Sequence, residues 1–192
     1  MNILGFFQRL GRALQLPIAV LPVAALLLRF GQPDLLNVAF IAQAGGAIFD
    51  NLALIFAIGV ASSWSKDSAG AAALAGAVGY FVLTKAMVTI NPEINMGVLA
   101  GIITGLVGGA VYNRWSDIKL PDFLSFFGGK RFVPIATGFF CLVLAAIFGY
   151  VWPPVQHAIH AGGEWIVSAG ALGSGIFGFI NRLLIPTGLH QV

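Results

Sequence analysis

Two histidines and a glutamate stand at helical spacing late in the sequence. His157, His160 and Glu164 are three and four residues apart, so a helix would place them on one face. Imidazole nitrogens and a carboxylate in that arrangement could hold a metal ion. However, they follow Trp152, where an outer loop with polar residues is expected, and no further ligand cluster accompanies them. We therefore expect no metal site.

No other group of residues indicates catalysis. Cys141 is the single cysteine, so no intramolecular disulfide is possible, and its apolar surroundings favour an inert thiol. The sequence shows no catalytic triad, no carboxylate pair and no glycine-rich phosphate loop, so no cofactor is expected. The apolar segments also contain almost none of the carboxylates and histidines that a proton-coupled carrier usually needs.

The composition indicates a membrane protein. Of the 192 residues, 58% are hydrophobic and only 9% are charged, whereas soluble domains carry about 25% charged residues. A globule of this size could not bury so many apolar side chains. The net charge of +3 is modest and the basic residues form no continuous stripe, so specific nucleic-acid recognition is not expected.

The apolar segments predict an all-α integral membrane protein with about six transmembrane helices. We place them at residues 13–30, 46–64, 70–90, 96–113, 132–152 and 165–185. Trp152 and the two prolines after it are expected to end the fifth helix. Residues 1–14 are amphipathic, which suits either a helix lying among the headgroups or the start of the first span. Asp50 and Asn51 are expected to cap the second span.

The basic residues predict the orientation. If the N-terminus is cytoplasmic, only Arg29 and Lys85 lie outside. The inner side then holds eight basic residues: Arg9, Arg12, Lys66, Arg114, Lys119, Lys130, Arg131 and Arg182. The N-terminus is therefore expected in the cytoplasm.

Glycines recur every four residues in "GVLAGIITGLVGG", at Gly97, Gly101, Gly105 and Gly109. Such a ridge lets another helix approach closely, either within the protein or across a dimer.

The polar stretch "NRWSDIKLPDFLSFFGGKR", residues 113–131, mixes charges with aromatic side chains on the inner side. It is expected to be a short amphipathic helix against the inner leaflet or a docking surface for a soluble partner. Lys119, Lys130 and Arg131 are the candidate docking residues.

Four stretches resemble one known family. They are "DNLALIFAIGVA" (50–61), "GVLAGIITGLVGGAVYNRW" (97–115), "FFGGKRFVPI" (126–135) and "RLLIPTGLHQV" (182–192). In type and order they are similar to the glucose family of phosphotransferase-system membrane components, enzyme IIC.

The resemblance implies a multi-pass protein of the bacterial inner membrane that takes up a sugar and phosphorylates it. N-acetylglucosamine is the expected sugar and glucose the alternative. The phosphoryl group would come from a cysteine on a IIB domain, supplied in turn by IIA, HPr and enzyme I. The family domain has about ten spans. Residues 13–152 would then form five scaffold and homodimer spans, and residues 165–192 would form a sixth span leading into the sugar site.

The resemblance also implies substrate-binding residues near Val192. His190 matches a histidine of the family's sugar site, and Arg182 falls near a basic residue of the family. Thr187 and Gln191 belong to the same motif, although the family has a second histidine where Gln191 stands. Apart from the resemblance, His190 would be read as a helix-end residue that bonds a free carbonyl.

The sequence stops at Val192, directly after this motif. We expect the chain alone to be inactive because the rest of the sugar site and the phosphoryl donor domain are absent. The alternative interpretation is a truncated nascent chain or insertion intermediate held by a ribosome, translocon or insertase. A self-sufficient oligomeric channel is disfavoured by the scarcity of polar residues in the spans.

Overall fold

A computed structural model describes residues 3–168 of the chain. Its regular elements in this range are helical, which confirms the predicted all-α class. The helices are α1 (Ile3–Ile18), α2 (Leu21–Phe30), α3 (Ala39–Asp50), α4 (Leu52–Trp64), α5 (Gly70–Ile90), α6 (Val98–Trp115) and α7 (Phe132–Ser168). Two short 3₁₀ helices, Asp122–Phe127 and Gly129–Arg131, lie between α6 and α7.

The first four helices form a hairpin with two arms, each of which is an interrupted helix: α1 with α2, and α3 with α4. α1 and α2 are interrupted between Pro17 and Pro22, because a proline ring supplies no N–H group to the helical ladder. α3 and α4 meet at Asn51 with a bend of 56°. The Asn51 amide donates to the Ala47 carbonyl at 2.9 Å and so serves the end of α3, not the start of α4 as the predicted cap would. α1 packs on α4, and α2 packs on α3.

α1 packs lengthwise against α4. The Phe6 ring meets the Trp64 ring edge-on at 5.6 Å. Further along α1, Pro17 lies so close to Gly59 that a Cβ there would be 2.9 Å from the proline ring. α1 therefore runs antiparallel along α4, and Ile3–Phe30 forms one apolar segment of membrane length. Both interpretations of residues 1–14 stay predictions.

α5, α6 and α7 complete the bundle. α6 packs against both α4 and α5, and α5 packs against α7. Gly79 on α5 is the point of closest approach: a Cβ there would be 2.8 Å from the Cys141 sulfur and 3.1 Å from Thr137 on α7. Small residues at this point bring the helix backbones close enough for extensive van der Waals contact.

α7 continues past the point where the sequence predicts its end. The helix runs through Pro153 and Pro154 to Ser168, so the predicted stop after Trp152 is wrong. Prolines have helical φ angles, and helices in lipid tolerate them. The residue one turn before Pro153 is Gly149, which has no side chain to crowd the proline ring and packs against Ile90.

Some of the five spans predicted within the described residues are single long helices, and others are short or bent. Three helical segments there are long and apolar enough to cross a membrane: Ile3–Phe30, Gly70–Ile90 and Gly129–Glu164. The bent pair α3–α4 makes a fourth if it is one span. α6 is less apolar because it ends in Asn113 and Arg114, yet it reaches from the loop at Gly97 to the end of the bundle where Asn113 contacts Trp64. Nearly all of the sixth predicted span, 165–185, lies outside the described residues.

Polar contacts between helices lie at the two opposite ends of the bundle. Asn113 contacts Trp64 and Lys130 contacts Asp67 at one end, and Asn95 contacts Gln156 at the other. We call these the inner and outer ends. Seven described basic residues accompany the inner end: Arg9, Arg12, Lys66, Arg114, Lys119, Lys130 and Arg131. Arg29 and Lys85 accompany the outer end, so the bias predicted from sequence persists in three dimensions.

Candidate functional site

The residues expected to bind sugar lie outside the described part of the chain. Arg182, Thr187, His190 and Gln191 all follow residue 168. The described residues form the helical scaffold before them, with a glycine contact in its centre and a polar network at each end.

Three of the four glycines in the ridge face α4 of the same chain. A Cβ at Gly101 would overlap the Ala53 carbonyl oxygen. One at Gly105 would lie 2.9 Å from the Ala57 oxygen, and one at Gly109 would lie 3.0 Å from the Ala61 oxygen. Residue numbers increase together along the two helices at these contacts, so α4 and α6 run parallel. Their backbones are in direct contact. This surface is occupied within the chain.

Gly97 has a different role from the rest of the ridge. It precedes α6 with φ +50°, a left-handed conformation that favours glycine. Its N–H donates to the Asn95 side chain at 2.9 Å. Gly108, which the four-residue spacing omits, lies against α5, where a Cβ would be 2.8 Å from the Gly76 nitrogen. α6 therefore presents one glycine face to α4 and another to α5.

An inner-end network joins the α4–α5 turn to α6 and to the 3₁₀ helix Gly129–Arg131 before α7. Lys66 pairs with Asp117 at 3.0 Å. The buried Tyr112 donates its hydroxyl hydrogen to Asp67 at 2.8 Å. Lys130 lies 3.5 Å from the same Asp67 carboxylate and 5.6 Å from the centre of the Tyr112 ring.

The network extends to α1 through the last carbonyl of α4. The Trp64 carbonyl accepts from Arg9 at 2.7 Å and from the Asn113 amide at 3.0 Å. The Arg9 guanidinium also lies 4.3 Å from the centre of the Trp64 ring. The Asn113 oxygen in turn accepts from the Lys66 N–H at 2.7 Å. Free carbonyls at a helix end need such partners, and here they tie α1, α4 and α6 together.

Charge pairing stabilises the ionised forms of the network. The hydrogen bond from Tyr112 lowers the pKa of Asp67, and the hydrogen bond from Lys66 lowers the pKa of Asp117. The same pairing with Asp117 raises the pKa of Lys66. Contact with Tyr112, followed by the charge of Asp67, raises the pKa of Lys130. All four groups are exposed to solvent, so each pair contributes modestly and salt screens it.

The predicted docking residues are spread over the connection between α6 and α7. Lys119 is exposed, whereas Lys130 takes part in the inner-end network. Arg131 donates to the Phe126 carbonyl at 3.3 Å, with its guanidinium 4.7 Å from the Phe126 ring centre. The amphipathic helix expected within 113–131 is not formed. α6 extends to Trp115, and only the two 3₁₀ helices follow.

At the outer end, α7 holds the loop between α5 and α6. The Gln156 side chain donates to the Glu93 carbonyl at 2.9 Å and accepts from the Asn95 N–H at 3.0 Å. Trp152 donates its indole N–H to the same Gln156 oxygen at 3.1 Å. These contacts require α7 to continue past its two prolines. An open cleft of about 350 Å³ beside this loop is lined by Tyr80, Thr84 and Glu93 among others.

His157, His160 and Glu164 lie on α7 rather than in the predicted outer loop, and all are exposed. Within residues 3–168, no three His, Cys, Asp or Glu side chains come together in a way that could hold a metal ion.

Comparison with known proteins identifies the family. The family described as "Phosphotransferase system, EIIC" matches residues 11–192. The chain belongs to this EIIC family. EIIC is the membrane domain of a phosphotransferase system, in agreement with the apolar helices, and the chain is a multi-pass protein of the bacterial inner membrane.

Relatives of this EIIC chain include larger multi-component proteins. The N-acetylglucosamine-specific EIICBA component of Klebsiella pneumoniae is 95% identical over 192 residues, which are 100% of this chain and 30% of that protein. The N-acetylglucosamine-specific EIICB component of Bacillus subtilis (strain 168) is 53% identical over 189 residues, 98% of this chain and 42% of the relative. The glucose-specific EIICBA component of Staphylococcus carnosus (strain TM300) is 40% identical over 226 residues, 98% of this chain and 33% of the relative. The chain thus spans less than half the length of these relatives.

The polar networks of this EIIC chain are what sequence reasoning missed. Tyr112 and Asp67 are 45 residues apart, and Gln156 and Glu93 are 63 residues apart. Each is an unremarkable polar residue near a span end when read alone. The sequence did indicate that such contacts exist, because buried polar groups near the ends of apolar helices need hydrogen-bond partners, but it did not indicate which residues pair.

Proposed function

We propose that this chain acts as the N-terminal part of a permease that takes up N-acetylglucosamine and phosphorylates it. The observation that carries the proposal is the 95% identity, over the whole chain, to a component named for that sugar. A second N-acetylglucosamine-specific relative is 53% identical, compared with 40% for the glucose-specific relative. The order of identities favours the N-acetylated sugar over glucose.

In the proposed reaction, EIIC conducts the sugar and the phosphoryl donors lie outside the membrane. A sugar hydroxyl would attack the phosphoryl group carried by EIIB, which EIIB receives through EIIA, HPr and enzyme I. The scarcity of ionisable residues in the apolar helices supports this proposal, because phosphoryl transfer then supplies the driving force that a proton relay would otherwise provide. The relatives' names join EIIC to B and A components, which supports the same set of partners.

We further propose that the sugar contacts Arg182, Thr187, His190 and Gln191, and that the full protein is a homodimer. Gly101, Gly105 and Gly109 contact α4 of the same chain. The dimer would therefore use a different face of the scaffold.

A chimera tests the proposed function. The 192 aligned residues of the Klebsiella pneumoniae relative are replaced by this chain. Phosphoenolpyruvate-dependent phosphorylation of labelled sugars is then measured in membrane vesicles with the soluble phosphotransferase proteins. We expect N-acetylglucosamine to be phosphorylated in preference to glucose and glucosamine. Equal rates with glucose would refute the sugar assignment, and no phosphorylation by a stably inserted chimera would refute the function.

Variants of the chimera test the proposed sugar residues. Replacing His190 with alanine removes a hydrogen bond to the sugar, which is worth about 1–3 kcal/mol, so kcat/KM should fall roughly 5- to 150-fold. His160→Ala is the matched control, since His160 is exposed on the outer part of α7. Equal kinetic parameters for the two variants would contradict the role of His190.

A further inference from the structure

The connection between α6 and α7 is a compact loop. We call residues 116–131 the inner loop. The Gly129 N–H donates to the Ile118 carbonyl at 2.9 Å, which closes the loop at its neck. Gly129 has φ +64°, the conformation that turns the chain there. The tip between these residues is the 3₁₀ helix Asp122–Phe127.

The tip presents aromatic side chains on its outside. Phe123 is 82% exposed, the highest value among the large hydrophobic residues that the structure describes, and Phe126 is 68% exposed. A 3₁₀ helix has about three residues per turn, so these two rings lie on the same side of the tip. Leu124 and Phe127 are also exposed. Apolar surface gathered on so short a loop indicates a contact that removes it from water.

Neighbouring aromatic residues indicate that this loop lies at the level of the lipid headgroups. Trp115, the last residue of α6, stacks on Phe140 of α7 with ring centres 5.4 Å apart and planes 9° apart. Trp64 ends α4 at the same inner end. Tryptophans at the ends of apolar helices mark the membrane–water interface. The inner loop begins at the next residue and returns to α7, so its tip stays within reach of the inner leaflet.

The charges around the tip complement anionic headgroups. Lys119 is exposed, and Arg131 holds its guanidinium against the Phe126 ring. Asp117 is already paired with Lys66. A cation beside an inserted aromatic ring can lie along the apolar surface and keep its charge among the phosphates.

We propose that the inner loop binds anionic phospholipid, with Phe123 and Phe126 inserted in the cytoplasmic leaflet and Lys119 and Arg131 on headgroup phosphates. The occupant is lipid and not a soluble protein domain, because the apolar tip follows a helix end marked by Trp115, and the exposed basic residues Lys119 and Arg131 outnumber the one carboxylate of the tip, Asp122. This assignment does not depend on which sugar the protein transports.

The first experiment measures the depth of the tip. In a Cys141→Ser background, an environment-sensitive NBD fluorophore is attached at Phe123→Cys, and in a control at Ser125→Cys, which lies on a different side of the 3₁₀ helix. Both variants are reconstituted in vesicles of phosphatidylcholine with one quarter phosphatidylglycerol. The label at position 123 should be quenched by spin-labelled lipid and be several-fold less accessible to aqueous iodide than the label at position 125.

Two outcomes would overturn the proposal. One is equal iodide quenching at the two positions, which would place the tip in water. The other is protection of position 123 that appears only when the EIIB part is present, which would make the loop a protein-docking surface.

The second experiment tests the charges. Lys119→Gln with Arg131→Gln should weaken the protection gained from phosphatidylglycerol by about fivefold per residue removed. Arg131→Lys should retain it, because the positive charge remains. Lys85→Gln at the outer end is the control and should change nothing. Retained phosphatidylglycerol dependence in the double variant would refute the proposed headgroup contacts.

Discussion

Gly101 allows α4 and α6 to touch, and replacing it with alanine should separate them. The added Cβ would overlap the Ala53 carbonyl oxygen of α4, whereas carbon–oxygen contacts between helices normally need about 3.3–3.6 Å. Ala53 O is backbone, so the clash cannot be relieved by rotating a side chain. The neighbouring contacts at Gly105 and Gly109 involve backbone carbonyls as well, which leaves α6 little freedom to slide.

The expected cost follows from two opposing effects. Overpacking a tight contact costs about 1–3 kcal/mol. Alanine is favoured over glycine within a helix by about 0.8–1.0 kcal/mol, which offsets part of that cost. Because the overlap is with backbone, the overpacking cost should lie in the upper part of its range, about 2–3 kcal/mol. The net loss of about 1–2 kcal/mol in the free energy of unfolding should lower the ratio of folded to unfolded protein by roughly 5- to 30-fold.

Titration of the purified protein with a denaturing detergent, followed by tryptophan fluorescence, measures this loss. Gly46→Ala in α3 is the matched control, because nothing lies within 4 Å of its added Cβ. The control should keep the propensity gain and be at least as stable as the parent protein. If Gly101→Ala and Gly46→Ala unfold at the same detergent fraction, the backbone contact between α4 and α6 does not constrain the fold, and the reasoning is wrong.

Three further predictions concern the polar networks. Tyr112→Phe should raise the pKa of Asp67 toward its ordinary value of 3.8, measurable by carboxylate infrared titration, because the carboxylate loses its first stabilising donor. Gln156→Ala should speed hydrogen exchange at the Asn95 amide severalfold, since that N–H loses its acceptor. Arg9→Met should weaken the attachment of α1 to α4, because the buried indole of Trp64 loses its covering cation and becomes more accessible to water. The change is detected as a red shift in emission from a variant in which the other three tryptophans are phenylalanine.

Each of these predictions has a control and a contradicting result. An unchanged Asp67 titration in Tyr112→Phe would contradict the hydrogen bond from Tyr112, and Gln15→Ala should leave exchange at Asn95 unaltered. Arg12→Met is the control for Arg9, since Arg12 is exposed on the same helix. Equal emission shifts in the two arginine variants would show that the contact with Trp64 is not specific.

The inner-end network also predicts how stability depends on pH. Asp67 and Asp117 have lowered pKa values in the folded protein, so their contribution is present above the unfolded value and is lost as pH falls through the folded value. Stability should therefore decrease below about pH 3.8. Replacing both aspartates with asparagine should reduce this acid-dependent loss. A loss of the same size in the double variant would assign the acid sensitivity to other groups.

Several features of the fold follow directly from the sequence. Long apolar runs predict helices in lipid because hydrocarbon offers no hydrogen-bond partners and the backbone must satisfy itself locally. This reasoning gave α5 its bounds, 70–90, and gave α7 its start at residue 132. It also placed the basic residues at one end. These features depend on residues that are close together along the chain, so they can be predicted from the sequence.

The features that the sequence did not determine depend on contacts between distant residues. Pro153 and Pro154 are ordinary helix stops by composition, yet α7 passes through them and brings Gln156 to the outer loop. The glycine ridge predicted close packing, but only the structure decided that Gly101 faces α4 rather than a second copy of the chain. The partners of Tyr112 are likewise set by how the helices meet. Local apolar patterns therefore specify which segments enter the membrane, whereas the choice of helix neighbours and polar partners is made only when the backbones pack in three dimensions.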